Sequence, residues 1–472
     1  MSTREAAISL RRFGLGARPG DIKRIAADPR GFVTGQLANP GAALLSDPDL
    51  EPSHLVFAEA QRAQMEQRAA NEALKAAAMT TAVQPAAPGA PMAAAPVLPG
   101  AKAGAIRRDA FADEMSARID RAITTETPFL ERLVLFWSGH FCVSATKGQV
   151  RGLAGGYERE AIRPHVLGRF ADMLKASAQH PAMLIFLDNQ QSVGPNSQAG
   201  KNRGIGLNEN LAREILELHT LGVDGGYTQD DVTNFARIIT GWTVGNLNMP
   251  NFEPGKFAYT PPRHEPGTWT VAGKSYEDKG RATGEDVLTD LARLPSTARH
   301  IARKLARHFL ADDAPQALID RLAATFTKTD GNLAAVSKTL AEAPELWQSP
   351  PRKVVPPYDF SVSIVRGFGI RPKAPEIARI AAALGQPIWQ VASPKGWPDE
   401  DDAWMGPAAV RERLRIAEML ARQMDKLTDP RMLSVELMGD LMREETRQTI
   451  ARAESREQGF EIMVMAPEFL RR

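Results

Sequence analysis

A single cysteine, Cys142, in a chain of 472 residues rules out an intramolecular disulfide and any zinc cluster built on several thiolates. In its context, "GHFCVS", it reads as a small buried hydrophobe. An excess of one charge is missing as well. The 58 basic and 56 acidic residues leave a formal net charge of +2, so the general electrostatic case for a nucleic-acid partner falls away and only local clusters could carry it. No uninterrupted apolar run approaches the roughly 18–20 residues that cross a bilayer. The opening "MSTREAAISLRRFGLGARPGD" has charges where a secretory leader would have an apolar core, and the expectation from this start is a soluble, cytoplasmic protein. Its "GLG" lacks the preceding strand and the spacing of a dinucleotide fingerprint and reads as a turn. No Gly-x-Ser-x-Gly elbow or phosphate-binding P-loop occurs.

What the chain does contain is helical periodicity, which predicts a mainly all-α, large multi-helix fold. Residues 1–77 form an N-terminal helical segment, and 78–104 an Ala/Pro/Gly-rich tract expected to be a mobile linker. A central helical core follows at 105–245, with a helix starting near Thr125 or Thr127 and Pro128 at its first position. Phe129, Leu133, Phe136 and Trp137 recur along it at core spacing, and His140 falls just past its end. Residues 246–283 lose the helical period, and "KFAYT" with "TWTVAGKSY" predicts a short β-hairpin or irregular insertion near 257–276. From 284 to 472 the pattern is helical again and is expected to pack on the core, apart from a Pro/Trp-rich stretch at 387–407.

The densest polar cluster is "NENLAREILELHTLG" at 208–222. On an ideal α-helix Glu209, Arg213 and Glu217 form one row, flanked by Asn210, Glu214 and Thr220, while Leu211, Ile215 and Leu218 face the other way. Asn208 and His219 fall on the packed side and need partners there. A metal helix would want carboxylate and histidine three or four apart, whereas Glu217 and His219 are two apart and Glu214 and His219 five apart. Metal binding would therefore have to borrow His140, His264 or Asp188. The blandest reading is a solvated ion-pair ladder. Downstream, Gly225-Gly226 forms a turn, Thr228 and Asp231 make a capping-box pattern, and a second helix presents Asp230, Asn234 and Arg237 on its polar face.

The segment "NENLAREILELHTLGVDGGYTQDDVTNFARIITGW" resembles the most characteristic part of the bacterial domain-of-unknown-function 1800 family. "FWSGHF" at 136–141, "ERE-IRP-LGRF" across 158–170, "HPAMLIFLDN" at 180–189 and "ARHIARKLARHFLADDAP" at 298–315 carry the resemblance further, as do "LGQPIWQVASPKGWPDEDDAW" and the final "APEFLRR". It implies a mostly helical unit and a nearby gene for a phosphatase- or sulfatase-like protein with a twin-arginine export signal, hence a possible partner and joint export. The family pattern falls on His140, Asn208, Glu209, Asn210, Arg213, Glu214, Glu217, His219, Thr220, Gly222, Arg237, Gly241 and Trp242. One departure stands out: where the family has His-Asp, a glycine and then a lysine, this chain has His264, Glu265, Pro266, Gly267, Thr268 and Trp269.

Three functional readings follow. The first is an enzyme with a metal-free acid–base pocket acting on a polar, glycan-like or anionic substrate. Glu209, Arg213, Glu217, His219 and His140 are its catalytic candidates, and Asn208, Asn210, Arg237, Trp242 and His264 its substrate-binding candidates. The tryptophans at 242, 269, 389, 397 and 404 are core anchors or sugar-stacking rings. The second is a non-enzymatic helical partner or assembly factor of the exported phosphatase-like protein, and the third a metal-dependent enzyme. No cofactor is expected under the first reading, while a divalent metal belongs to the third. Nucleic-acid binding would rest on "RRFGLGAR" and on "ARHIARKLARH", where His300, Lys304 and His308 share one side with Arg303 and Arg307 beside them; such helices more often cover a surface or reach internal carboxylates.

Overall fold

The computed structural model describes residues 3–81, 101–203, 206–425 and 427–472. Helices dominate, with two small two-stranded antiparallel sheets. The helix Pro128–His140 lies at the centre of the larger core. Thr127 precedes it, Pro128 occupies its first turn, and Phe129, Leu133, Phe136 and Trp137 are all buried. The Ser53–Thr81 helix and the Ala101–Thr124 helix flank residues 82–100. Most of the expected linker at 78–104 therefore lies outside the described residues, and its two ends are helical.

A second apolar core joins the start of the chain to its C-terminal third. Ala6, Leu10 and Ile22 pack with Phe360, Ile364, Leu420 and Phe460. Between the two cores runs the Pro357–Phe368 helix, buried along its whole length. No helix among the described residues is long and apolar enough to cross a membrane.

The expected excursion at 257–276 is two separate pairings. Phe257–Tyr259 pairs back with Trp242–Val244, and Trp269–Val271 pairs with Lys274–Tyr276 across the Ala272-Gly273 turn. The second is the short hairpin that the sequence predicts, and the first ties the excursion back to the strand that follows the Gln229–Ile238 helix. That helix begins with the reciprocal Thr228–Asp231 capping box that its sequence predicts.

Buried arginines tie the layers together. The Arg163 guanidinium, fully enclosed, bonds Glu131 at 2.7 Å and Glu158 at 3.0 Å. Arg366 donates to the carbonyls of Gly16, Ala122 and Ile123 at 3.1, 3.0 and 2.8 Å, fastening the N-terminal loop to the Ala101–Thr124 helix. Arg163 is costly to remove, because buried Glu131 and Glu158 then keep only Arg121 at 3.9 Å and Arg118 at 3.2 Å. Arg163→Met is expected to lower the unfolding free energy in urea by about 3–5 kcal/mol. A loss under about 1 kcal/mol would mean that Arg118 and Arg121 suffice for Glu131 and Glu158.

Candidate functional site

The cluster at 208–222 does not stay α-helical. Glu209 caps a short helix, Asn210–Glu214, and Ile215–Thr220 then widens into a π turn. Thr220 Oγ1 donates to the Ile215 carbonyl at 2.6 Å and Leu221 N to the Leu216 carbonyl at 3.0 Å. An α-helical wheel therefore holds only to Glu214. The carbonyls of Leu218 and His219 end the element where no further turn supplies donors. They are met by two histidines distant in sequence: His300 Nε2 donates to the Leu218 oxygen at 3.0 Å and His140 Nε2 to the His219 oxygen at 3.1 Å.

A carbonyl oxygen only accepts, so each of these rings carries its proton on Nε2 and keeps an Nδ1 lone pair. His140 Nδ1 is buried without a hydrogen-bond partner among the described residues. Beside His300 Nδ1 stands Gly222, at φ +88°, where an added Cβ would come within 2.8 Å of that nitrogen. A side chain there would displace the ring.

His140 borders two adjoining cavities, an outer and an inner lobe, that share part of their walls. The outer lobe, of about 430 Å³, is bordered by Glu217, Gly222, Asp224, Arg299, His300, Arg303 and Arg307. The inner lobe, of about 120 Å³, is bordered by Arg118, His308, Lys353, Tyr358, Asp359 and Arg472. Lys304, Lys395, Trp397 and Asp399 border both. The helix Pro295–Phe309 carries His300, Lys304 and His308 one turn apart on one side. Lys395 and Trp397 come from the Pro/Trp-rich stretch, which crosses the end of the Pro128–His140 helix at Gly396. A Cβ at Gly396, at φ +85°, would lie 2.6 Å from the Gly139 carbonyl oxygen.

The cleft is rich in cations. Arg307 pairs with Glu400 at 3.0 Å, and in the inner lobe Lys353 with Asp401 at 3.0 Å and Arg472 with Asp359. Lys304, Lys395, Arg299 and Arg303 have no ion pair among the described residues. Burial, followed by the charge of Lys304, pushes His219 down to about 3 and His300 to about 4, and holds His140 well below the usual range. The ammonium is thus surrounded by neutral rings. Glu214 moves the other way, up to about 7, through burial and then the charge of Glu217. Burial lifts the Cys142 thiol to about 12, and its Sγ donates to the Pro394 carbonyl at 3.1 Å, so it behaves as a structural residue.

The residues singled out in the sequence are distributed over several places. His140 and Glu217 line the cleft, and His219 packs behind His140 with ring centroids 6.1 Å apart. Glu217 leaves the ladder and accepts from Tyr227 Oη at 3.0 Å. Away from the cleft, Glu209 bonds Arg213 at 3.0 Å, Gln229 at 2.9 Å and Thr233 at 2.7 Å, joining two helices. Asn208 Oδ1 accepts from Asn210 N at 2.9 Å, a local turn. Arg237 lies 4.5 Å over the ring of Trp269, the position that departs from the family lysine, and Trp242, the first residue of the first small sheet, is fully buried. His264 spans the Thr240 carbonyl and Asp278, each at 3.0 Å. Among the described residues no three His, Cys, Asp or Glu side chains gather as a metal site.

Sequence reasoning offered Trp397 only as one of five candidate stacking rings, placed His300 and Lys304 only in the nucleic-acid reading, and passed over Lys395 and Tyr358. The signal for His300 and Lys304 lay in the basic helix at 298–308, whose one-sided His300, Lys304 and His308 face the interior. Nothing in the sequence signalled that 395–397 folds over them.

A family model described as "Protein of unknown function (DUF1800)" matches residues 8–471. No curated protein and no solved structure matches the chain.

The depressed histidines make stability pH-dependent. Below an unfolded value of about 6.5 the unfolded chain takes up protons that folded His219 and His300 refuse, so stability is whole above that pH and falls as pH drops toward 4. Urea unfolding at pH 7.5 and 4.5 is expected to give this slope, and His219→Gln to flatten it. An unchanged slope in His219→Gln would mean that its ring titrates freely in the fold.

Proposed function

The chain belongs to the DUF1800 family, and on that premise we propose that it is an enzyme whose two-lobed cleft performs metal-free acid–base chemistry on a polar, anionic small molecule. The observation that carries this reading is Lys304, an ammonium without a counter-ion among the described residues, on the wall shared by both lobes and facing rings held neutral around it. A purely structural network would bury its charges fully paired, as Arg163 does. Here Lys304 and Lys395 face open space, where an anion would complete them.

Each group has a chemical part. Lys304, Lys395 and Arg303 hold the anionic group and orient the rest of the substrate. Glu217 reaches the outer lobe with one oxygen tied to Tyr227 and the other free to accept a proton. His300, its Nε2–H fixed on the Leu218 carbonyl, offers the Nδ1 lone pair from the same lobe. Glu214, one turn before Glu217, is shifted to about 7 by burial and then by the charge of Glu217, so its own carboxyl changes charge around neutral pH beside the cleft. Arg213 and Arg237 have no part in this cleft.

Chromogenic anionic esters and glycosides supply the test. For any substrate turned over, Glu217→Gln is expected to lower kcat by about 10²–10⁴-fold, with the melting temperature retained. The pH profile should show an ionisation near 7 that moves in Glu214→Gln. Parental rates in both Glu217→Gln and Lys304→Met would overturn the reading.

A further inference from the structure

The inner lobe raises a question that an anion alone does not answer. Behind the shared wall, besides the Nε atoms of the ion-paired Arg118 and Arg472, three polar atoms are buried with no hydrogen-bond partner among the described residues: His140 Nδ1, His308 Nε2 and Tyr358 Oη. All three residues border the lobe, and Tyr358 and His140 are 5% and 2% exposed. Buried polar atoms left unsatisfied cost about 1–3 kcal/mol each, so three around one small space mark a place built for a polar occupant. Away from the wall that carries Lys304 and Lys395, the lobe's cations are ion-paired, with Arg472 on Asp359, Lys353 on Asp401 and Arg118 on Glu158, so the occupant of that part is uncharged. It must both donate and accept, because the Nδ1 lone pair of His140 needs a donor while a phenol can supply or take a proton. Hydroxyl groups do both.

The outer lobe asks for the opposite. Lys304, Lys395, Arg299 and Arg303 converge there without counter-ions among the described residues. A single carboxylate is matched by one arginine fork; several point charges and forks suit a group with three outward oxygens and two charges. Trp397 borders both lobes and offers a flat face between them.

We propose that the cleft binds a phosphorylated polyol, with its phosphate among Lys304, Lys395 and Arg303 in the outer lobe and its hydroxyl-bearing body in the inner lobe against His140, His308 and Tyr358. This deepens the function proposed above and rests on its anion-binding wall. It requires the anionic and hydroxylated parts to be joined in one molecule, as neither lobe alone satisfies both sets of groups.

Isothermal titration of the full chain at fixed ionic strength separates the possibilities, using inorganic phosphate, glycerol 3-phosphate, glucose 6-phosphate and glucose as probes. At least one of the two polyol phosphates is expected to bind tenfold or more tighter than inorganic phosphate, about 1.4 kcal/mol, and glucose alone to bind no better than inorganic phosphate. Lys304→Met should weaken phosphate and polyol phosphate alike by about tenfold or more. Tyr358→Phe, which keeps the ring, should remove the polyol advantage and leave inorganic phosphate unchanged. If both polyol phosphates bind no tighter than inorganic phosphate, or Tyr358→Phe leaves their advantage intact, the two-lobe assignment is wrong while the anion wall of the proposed function stands. If no phosphate species binds to the folded parent, both fall together. Should Lys304→Met melt early, Lys395→Met takes its place with the same expectation.

Discussion

Two hydrogen bonds organise the centre of this molecule, from His140 and His300 to the last carbonyls of the π turn at 215–220. Each ring satisfies a backbone oxygen that the widened helix leaves open, and in doing so loses its freedom of tautomer. The cost of burying the rings is met only if they stay neutral, and Lys304 in their midst reinforces that. The same arrangement therefore closes a helix end and sets out lone pairs along a cleft.

The consequences spread through the neighbouring elements. The ring of His300 fits only because residue 222 is glycine, and the loop that covers the cleft crosses the Pro128–His140 helix only because residue 396 is glycine. The Pro295–Phe309 helix is bound on its apolar side by Ile301, Leu305 and Phe309, which fixes the direction in which Lys304 projects. Two cores on either side of the Pro357–Phe368 helix hold the walls: one carries the π turn, the other anchors the N-terminal residues to the C-terminal helices. Rigid backing of this kind is what a positioned lone pair requires, since a ring free to rotate would present either nitrogen.

Local signals were readable and non-local ones were not. The start of the Pro128 helix and the Thr228–Asp231 cap depend on residues within one turn, and both stand where their sequence puts them. The π turn is different, since its stabilising donors lie 79 and 82 residues away, and "ILELHTL" has an ordinary helical pattern. An ideal wheel therefore gave Glu209, Arg213 and Glu217 one face, when Glu217 turns into the cleft and the other two join neighbouring helices. The short hairpin at 269–276 is also local and stands where "TWTVAGKSY" puts it, whereas Phe257–Tyr259 pairs back with the more distant Trp242–Val244. The cations of the cleft were visible as a basic helix, and only tertiary packing decides whether such a helix meets solvent, carboxylates or an open space.

The most direct measurement is the protonation and tautomer of the histidine rings, read from nitrogen chemical shifts of ¹⁵N-labelled protein at pH 7. His140 and His300 are expected as neutral imidazoles with the proton on Nε2 and an unprotonated Nδ1, persisting to pH 5. Imidazolium signals at pH 7, or a proton on Nδ1 of either ring, would contradict the carbonyl-locked arrangement on which the cleft depends.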